Sequence, residues 1–148
     1  DGTQVQYPNK AKAKERTVEE KTILIIRDAE LAALHKRPAK GLLAGMYEFP
    51  SMKGYHTAEE VKEYLAENGL QVLRIQPLED AKHIFSHVEW DMHGYLAAAA
   101  GENNEFLWVD GAALQAAAIP SAFRYYFDTA VRWLAAQQGG TDHGTALL

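Results

Sequence analysis

Thr57-Ala58-Glu59-Glu60-Val61-Lys62-Glu63-Tyr64-Leu65-Ala66-Glu67-Asn68-Gly69 carries both ends of a helix in its own residues. Thr57 and Glu60 are spaced as a capping box: the hydroxyl accepts from the amide three residues on, and the glutamate reaches back to the threonine amide. Val61, Tyr64 and Leu65 give an apolar side at three-and-four spacing, and Asn68-Gly69 is a natural left-handed stop. The opposite side holds Glu59, Glu60, Glu63 and Glu67 against Lys62, the pattern of a solvated face.

Strand signals lie on both sides of this helix. Upstream, Thr22-Ile23-Leu24-Ile25-Ile26 is a short β-branched apolar run, and after a turn at Asp28-Ala29-Glu30 the segment from Leu31 to His35 returns as its hairpin partner. Pro38, Gly41 and Gly45 punctuate a loop before the strand-like Met46 to Phe49. Downstream, Leu70 to Ile75 alternates as a strand that Pro77 ends, and Ala81 to Ala100 reads as two strands meeting near Phe85-Ser86-His87. Phe106 to Val109 is a last short strand, Gly111 to Ala117 a short helix and Ser121 to Ala136 a longer one, with Phe123, Phe127, Val131 and Leu134 lining its inward face. Several strands and two main helices predict an α+β sandwich, helices packed on a mixed sheet. Residues 1–20 have few large apolar side chains and read as a connector or arm; the fold is expected over 21–138, and 139–148, with His143, as a disordered tail.

The chain has 148 residues and a formal net charge of -5, enough for one core and unfavourable for wholesale phosphate binding. The distribution qualifies that sum. Lys10 to Arg16 carries four cations against Glu15, and Lys36 to Lys53 carries Lys36, Arg37, Lys40 and Lys53 against Glu48. The absence of cysteine excludes disulfides and thiolate-held zinc or iron-sulfur clusters within these residues. No apolar run approaches the roughly 20 residues of a membrane span, so a cytoplasmic protein is expected.

Two stretches carry a family resemblance: His83-Ile84-Phe85-Ser86-His87-Val88-Glu89-Trp90, and Arg37-Pro38-Ala39-Lys40-Gly41-Leu42-Leu43-Ala44-Gly45-Met46-Tyr47-Glu48-Phe49-Pro50. Both resemble the C-terminal domain of the A/G-mismatch adenine DNA glycosylases, the MutY family. The resemblance runs from Lys21 to Gln137, and Tyr7-Pro8 followed by lysines is similar to the family's interdomain connector. It implies a Nudix-like α/β/α sandwich that reads 8-oxoguanine opposite a misplaced adenine in base excision repair. It also implies an N-terminal domain, outside this chain, that flips the adenine, hydrolyses its glycosidic bond and carries a [4Fe-4S] cluster. This chain is then expected to be non-catalytic, to hold no cofactor or metal, and to partner that domain and duplex DNA bearing an 8-oxoguanine:adenine or guanine:adenine mismatch.

By the same resemblance, the lesion readers are Phe85, Ser86 and His87. Guanine offers acceptors at N7 and O6, whereas 8-oxoguanine carries a proton on N7. A hydroxyl can accept that proton's hydrogen bond while donating its own to O6, which suits Ser86. The Arg37 to Gly45 loop is a second DNA-facing candidate, with Gly41 and Gly45 allowing close backbone approach to a phosphate and Arg37 or Lys40 neutralising it. Lys10, Lys12 and Lys14 are expected to follow the duplex between the two domains.

Two alternatives use the same scaffold: a divergent Nudix hydrolase acting on a nucleoside diphosphate derivative, and a protein-interaction module. The hydrolase needs clustered carboxylates to hold divalent metal. Its motif ends in Arg-Glu-x-x-Glu-Glu-x-Gly; here Glu63 and Glu67 match, Lys62 replaces the arginine, Ala66 replaces a carboxylate, and no glutamate lies between Pro50 and Ala58. His87, Glu89, Asp91 and His93 alternate as a surface polar stripe, with its two histidines about 20 Å apart and unable to share an ion.

Overall fold

The centre of the sheet is a parallel pair that joins distant parts of the chain. In the computed structural model, which describes residues 16–139, strand β1 (Thr17–Asp28) runs beside β7 (Val88–Gly101), in register from Thr17 opposite Val88 to Arg27 opposite Ala98. The hairpin expected after Asp28 is present: β2 (Leu31–Lys36) returns antiparallel to β1. Strands β3 (Tyr47–Glu48) and β4 (Ser51–Lys53) replace the single strand expected from Met46 to Phe49. The reason is a change of partner, since β3 pairs with β2 and β4 with β1, while the buried Phe49-Pro50 crosses between them. On the other side of the sheet, β5 (Leu70–Pro77) and β6 (Ala81–Ile84) pair in turn along β7, and β8 (Leu107–Val109) closes on β2.

The strand begins at Thr17, four residues before the start expected near Lys21. Thr17 to Glu20 are exposed, so no apolar signal marks them; their backbone hydrogen bonds to β7 make them strand. Mixed pairing with helices on both faces gives the α/β/α sandwich expected.

Helix α1 (Ala58–Glu67) has the cap its sequence specifies: the Glu60 amide donates to the Thr57 hydroxyl at 3.2 Å and the Thr57 amide to the Glu60 carboxylate at 2.9 Å. Gly69, at φ 84°, turns the chain into β5, and a Cβ there would overlap the carbonyl oxygen of Glu102. Val61 and Leu65 of α1 are buried with Leu24, Ile26, Tyr95 and Ala97 of the sheet. Each such aliphatic side chain removed from water contributes about 1.5–3 kcal/mol.

The opposite face packs against α2 (Gly111–Ala116) and, after a single 3-10 turn at Ser121–Phe123, α3 (Arg124–Gly139). Here the inward face differs from the one expected. Phe123 and Leu134 are buried, but between them the core takes Tyr126, Ala130 and Trp133, while Phe127 and Val131 sit half-buried at its margin. Aromatic residues occur on adjacent sides of this helix, so hydrophobicity alone does not choose between Tyr126 and Phe127. The sheet does: Gly94 on β7 leaves the space into which Tyr126 packs.

Candidate functional site

Strands β6 and β7 meet in a two-residue turn. The Phe85 amide donates to the Val88 carbonyl at 2.7 Å, which leaves Ser86 and His87 exposed at the tip. Neither of their side chains has a hydrogen-bond partner among the described residues. Phe85 has a different part. Its ring is half-buried, edge-on to Trp90 at 5.0 Å and to His83 at 4.7 Å between centroids, and Trp90 in turn meets Phe123 at 5.5 Å. The tip is therefore seated on a column of rings that reaches the core, and its carbonyl at His87 accepts from the Thr17 amide at 3.0 Å.

The loop between β2 and β3 is drawn to the same column. Arg37 lies over Trp90, 5.2 Å from the ring centroid, so Trp90 is the meeting point of the two nominated segments. Arg37 is also tied down within its loop: Nη1 donates to Glu48 Oε1 at 2.6 Å and Nε to the Leu42 carbonyl at 3.1 Å. Its side chain is only 14% exposed, so its charge is largely spent on Glu48. Lys40, Gly41 and Gly45 are exposed in the same loop. The Gly45 amide donates to Pro38 at 2.9 Å, and both glycines have positive φ with open space where a side chain would be, so backbone geometry is what requires them. Lys10, Lys12 and Lys14 lie outside the described residues.

The strip expected to be a surface polar stripe is partly interior. Glu89 is 7% exposed and bridges two cations, Arg16 Nη2 to Oε1 and Lys82 Nζ to Oε2, each at 3.3 Å. Beside it, Asp91 Oδ1 is buried and meets no donor. The adjoining Glu89 carboxylate, with burial added, pushes Asp91 above the usual carboxylate range, whereas Lys82 and Arg16 help to hold Glu89 below it. His93 faces Asp80, Nδ1 to Oδ1 at 2.6 Å. Sequence reasoning missed this cluster because alternation reports which side of a strand a residue is on, not what covers it. Arg16, just before β1, and Lys82, on β6, are cations that flank Glu89 only once the strands have paired.

The donor set for divalent metal does not fit. Glu63 and Glu67 are exposed on α1 with Ala66 between them, and no group of three or more metal-ligating side chains converges among the described residues. A cleft of about 210 Å³ between α1 and β3 includes Glu48, Tyr64, Asn68 and Glu105. Its best-buried carboxylate, Glu48, already holds Arg37 and faces His35 at 3.3 Å. No helix among the described residues is long and apolar enough to cross a membrane.

Comparison with known proteins gives a family-model match to the NUDIX domain over residues 22–129. Among solved structures, the C-terminal domain of mouse MUTYH, seen in complex with human PCNA, superposes at TM-score 0.60 with 21% identity, covering 86% of this chain and 94% of that one. A MutT protein described for Aliivibrio salmonicida and Vibrio cholerae superposes at 0.56 with 21% identity over 79% of this chain and 99% of its own. MutT from Bacillus halodurans does so at 0.56 with 16% identity, covering 74% and 80%. At these identities the structures share a fold with this chain.

Proposed function

The chain belongs to the NUDIX domain family, and from that premise we propose that it is a lesion-reading module, the 8-oxoguanine-recognition domain of an adenine DNA glycosylase. The observation that carries this reading is the Ser86-His87 tip: two exposed polar side chains without partners among the described residues, mounted on a column of rings through Phe85. A hydroxyl so placed accepts a hydrogen bond from N7–H of 8-oxoguanine and donates one to O6, discriminating against guanine by about 1–3 kcal/mol. Phe85 positions the tip, Ser86 reads, and His87 donates to the base or a neighbouring phosphate.

Lys40, Gly41 and Gly45 supply the backbone contact in this reading, and Arg37 stiffens the loop that presents them. Lys10, Lys12 and Lys14 lead toward a catalytic domain with a [4Fe-4S] cluster, which removes the adenine while this domain holds the opposing base. Hydrolysis of a nucleoside diphosphate derivative is disfavoured by the dispersed carboxylates of α1.

An NMR amide-shift titration of the chain with matched duplexes containing 8-oxoguanine:adenine or guanine:adenine tests the proposal. Shifts at Phe85 to Val88 and at Arg37 to Gly45 that are larger for the lesion duplex are expected. Equal responses to both duplexes, or none at high concentration, would overturn it.

A further inference from the structure

We infer that Arg16 and Lys82 form a pair of phosphate-contacting cations, held on either side of the reading turn by the buried carboxylate of Glu89; this rests on reading the turn as a DNA contact.

Glu89 follows the turn directly, one residue after Val88. Strands β1 and β6 flank β7 on opposite edges, and cross-strand neighbours share a face, so the row Val18, Glu89, Ile84 and the next row Glu20, Asp91, Lys82 lie on one side of the sheet. Arg16 reaches Glu89 from the β1 side and Lys82 from the β6 side. The turn itself is stitched to the first of these, because the amide of Thr17 donates to the His87 carbonyl.

The two cations are fixed at the root and open at the head. Their common anchor is buried, whereas the side chains are 36% exposed for Arg16 and 58% for Lys82. A guanidinium has five N–H donors and an ammonium three, so the contact to Glu89 leaves donors on both for an incoming oxyanion. Asp91, paired with Lys82 in the next row, is pushed above the usual carboxylate range by the adjoining Glu89. Glu20, the exposed end member of the row, is screened by water. A base contact alone supplies selectivity and little affinity, and phosphates flanking the read base are the partners that cations bracketing the tip would meet.

The test is the salt dependence of binding to the 8-oxoguanine:adenine duplex by the full chain, wild type against Arg16→Gln and against the double variant Glu89→Gln with Lys82→Gln. The double variant removes the Lys82 charge without stranding a buried carboxylate, and a circular-dichroism melt checks that both variants fold. Each lost phosphate contact lowers the slope of log K against log salt by about 0.9. That reduction, with the preference for 8-oxoguanine over guanine retained, is expected, and Lys62→Gln on α1 leaves the slope unchanged. A wild-type slope in both variants, with lesion preference intact, overturns this inference and leaves the reading of the turn standing. If the wild-type chain binds neither duplex, both fall together.

Discussion

Tyr126 fills the space that a side chain on Gly94 would need: a Cβ on that glycine would lie 2.5 Å from Tyr126 Cε1. The contact fixes the distance between α3 and the middle of β7, and the Tyr126 hydroxyl completes it by donating to the Glu79 carbonyl at 3.3 Å. Gly94→Ala must push the ring or the helix away, and overpacking of this kind costs about 1–3 kcal/mol. Urea denaturation is expected to show that loss, with the Ser86-His87 turn unaffected in amide shifts.

The cap of α1 gives a pH-dependent prediction. Glu60 is held below the usual glutamate range chiefly by its hydrogen bond from the Thr57 amide. A carboxylate with a lowered folded pKa stabilises the fold above its unfolded pKa, and that contribution disappears as pH falls through the folded value. Glu60→Gln is therefore expected to flatten the acid limb of melting temperature against pH, leaving less difference from wild type at low pH. Thr57→Ala removes the reciprocal bond and costs about 1 kcal/mol at neutral pH.

Arg37 and Lys40 are adjacent candidates in the sequence with opposite expected behaviour. Glu48→Ala leaves the largely buried Arg37 without its carboxylate and is expected to cost about 1.5–3 kcal/mol in chemical denaturation. Lys40 is exposed, so Lys40→Gln is expected within about 0.5 kcal/mol of wild type. Its effect should appear in affinity for duplex DNA.

Ser86→Ala combined with His87→Ala removes both exposed side chains of the tip while keeping Phe85 on its column. Competition binding between 8-oxoguanine and guanine duplexes is expected to lose its lesion preference, with the melting temperature unchanged. Survival of the preference would move the reading function to another part of the surface.

How much of this could be read from the chain depended on how local each signal was. The α1 cap was legible because its four residues specify their own hydrogen bonds, and the turn near Phe85 was legible because the strand pattern breaks there. Thr17 to Glu20 gave no signal, since their strand character comes from backbone bonds to residues far along the chain. Tyr126 was passed over for Phe127 because the residue that selects it, Gly94, lies on another element. At the site, the turn and the loop were both nominated, but their meeting at Trp90 required the fold. Glu89 was read as surface because the side chains that bury and neutralise it come from neighbouring strands.

The parallel pairing of β1 with β7 also bears on the expected order of folding. It joins residues about 70 apart in sequence, and closing so long a segment costs entropy before any contact returns it. The β6–β7 hairpin, closed by the two-residue turn at Ser86-His87, needs no such closure and forms on the timescale of local structure. The Ser86-His87 tip is thus expected to take shape while the chain is still open, with Arg16 and Thr17 reaching it later.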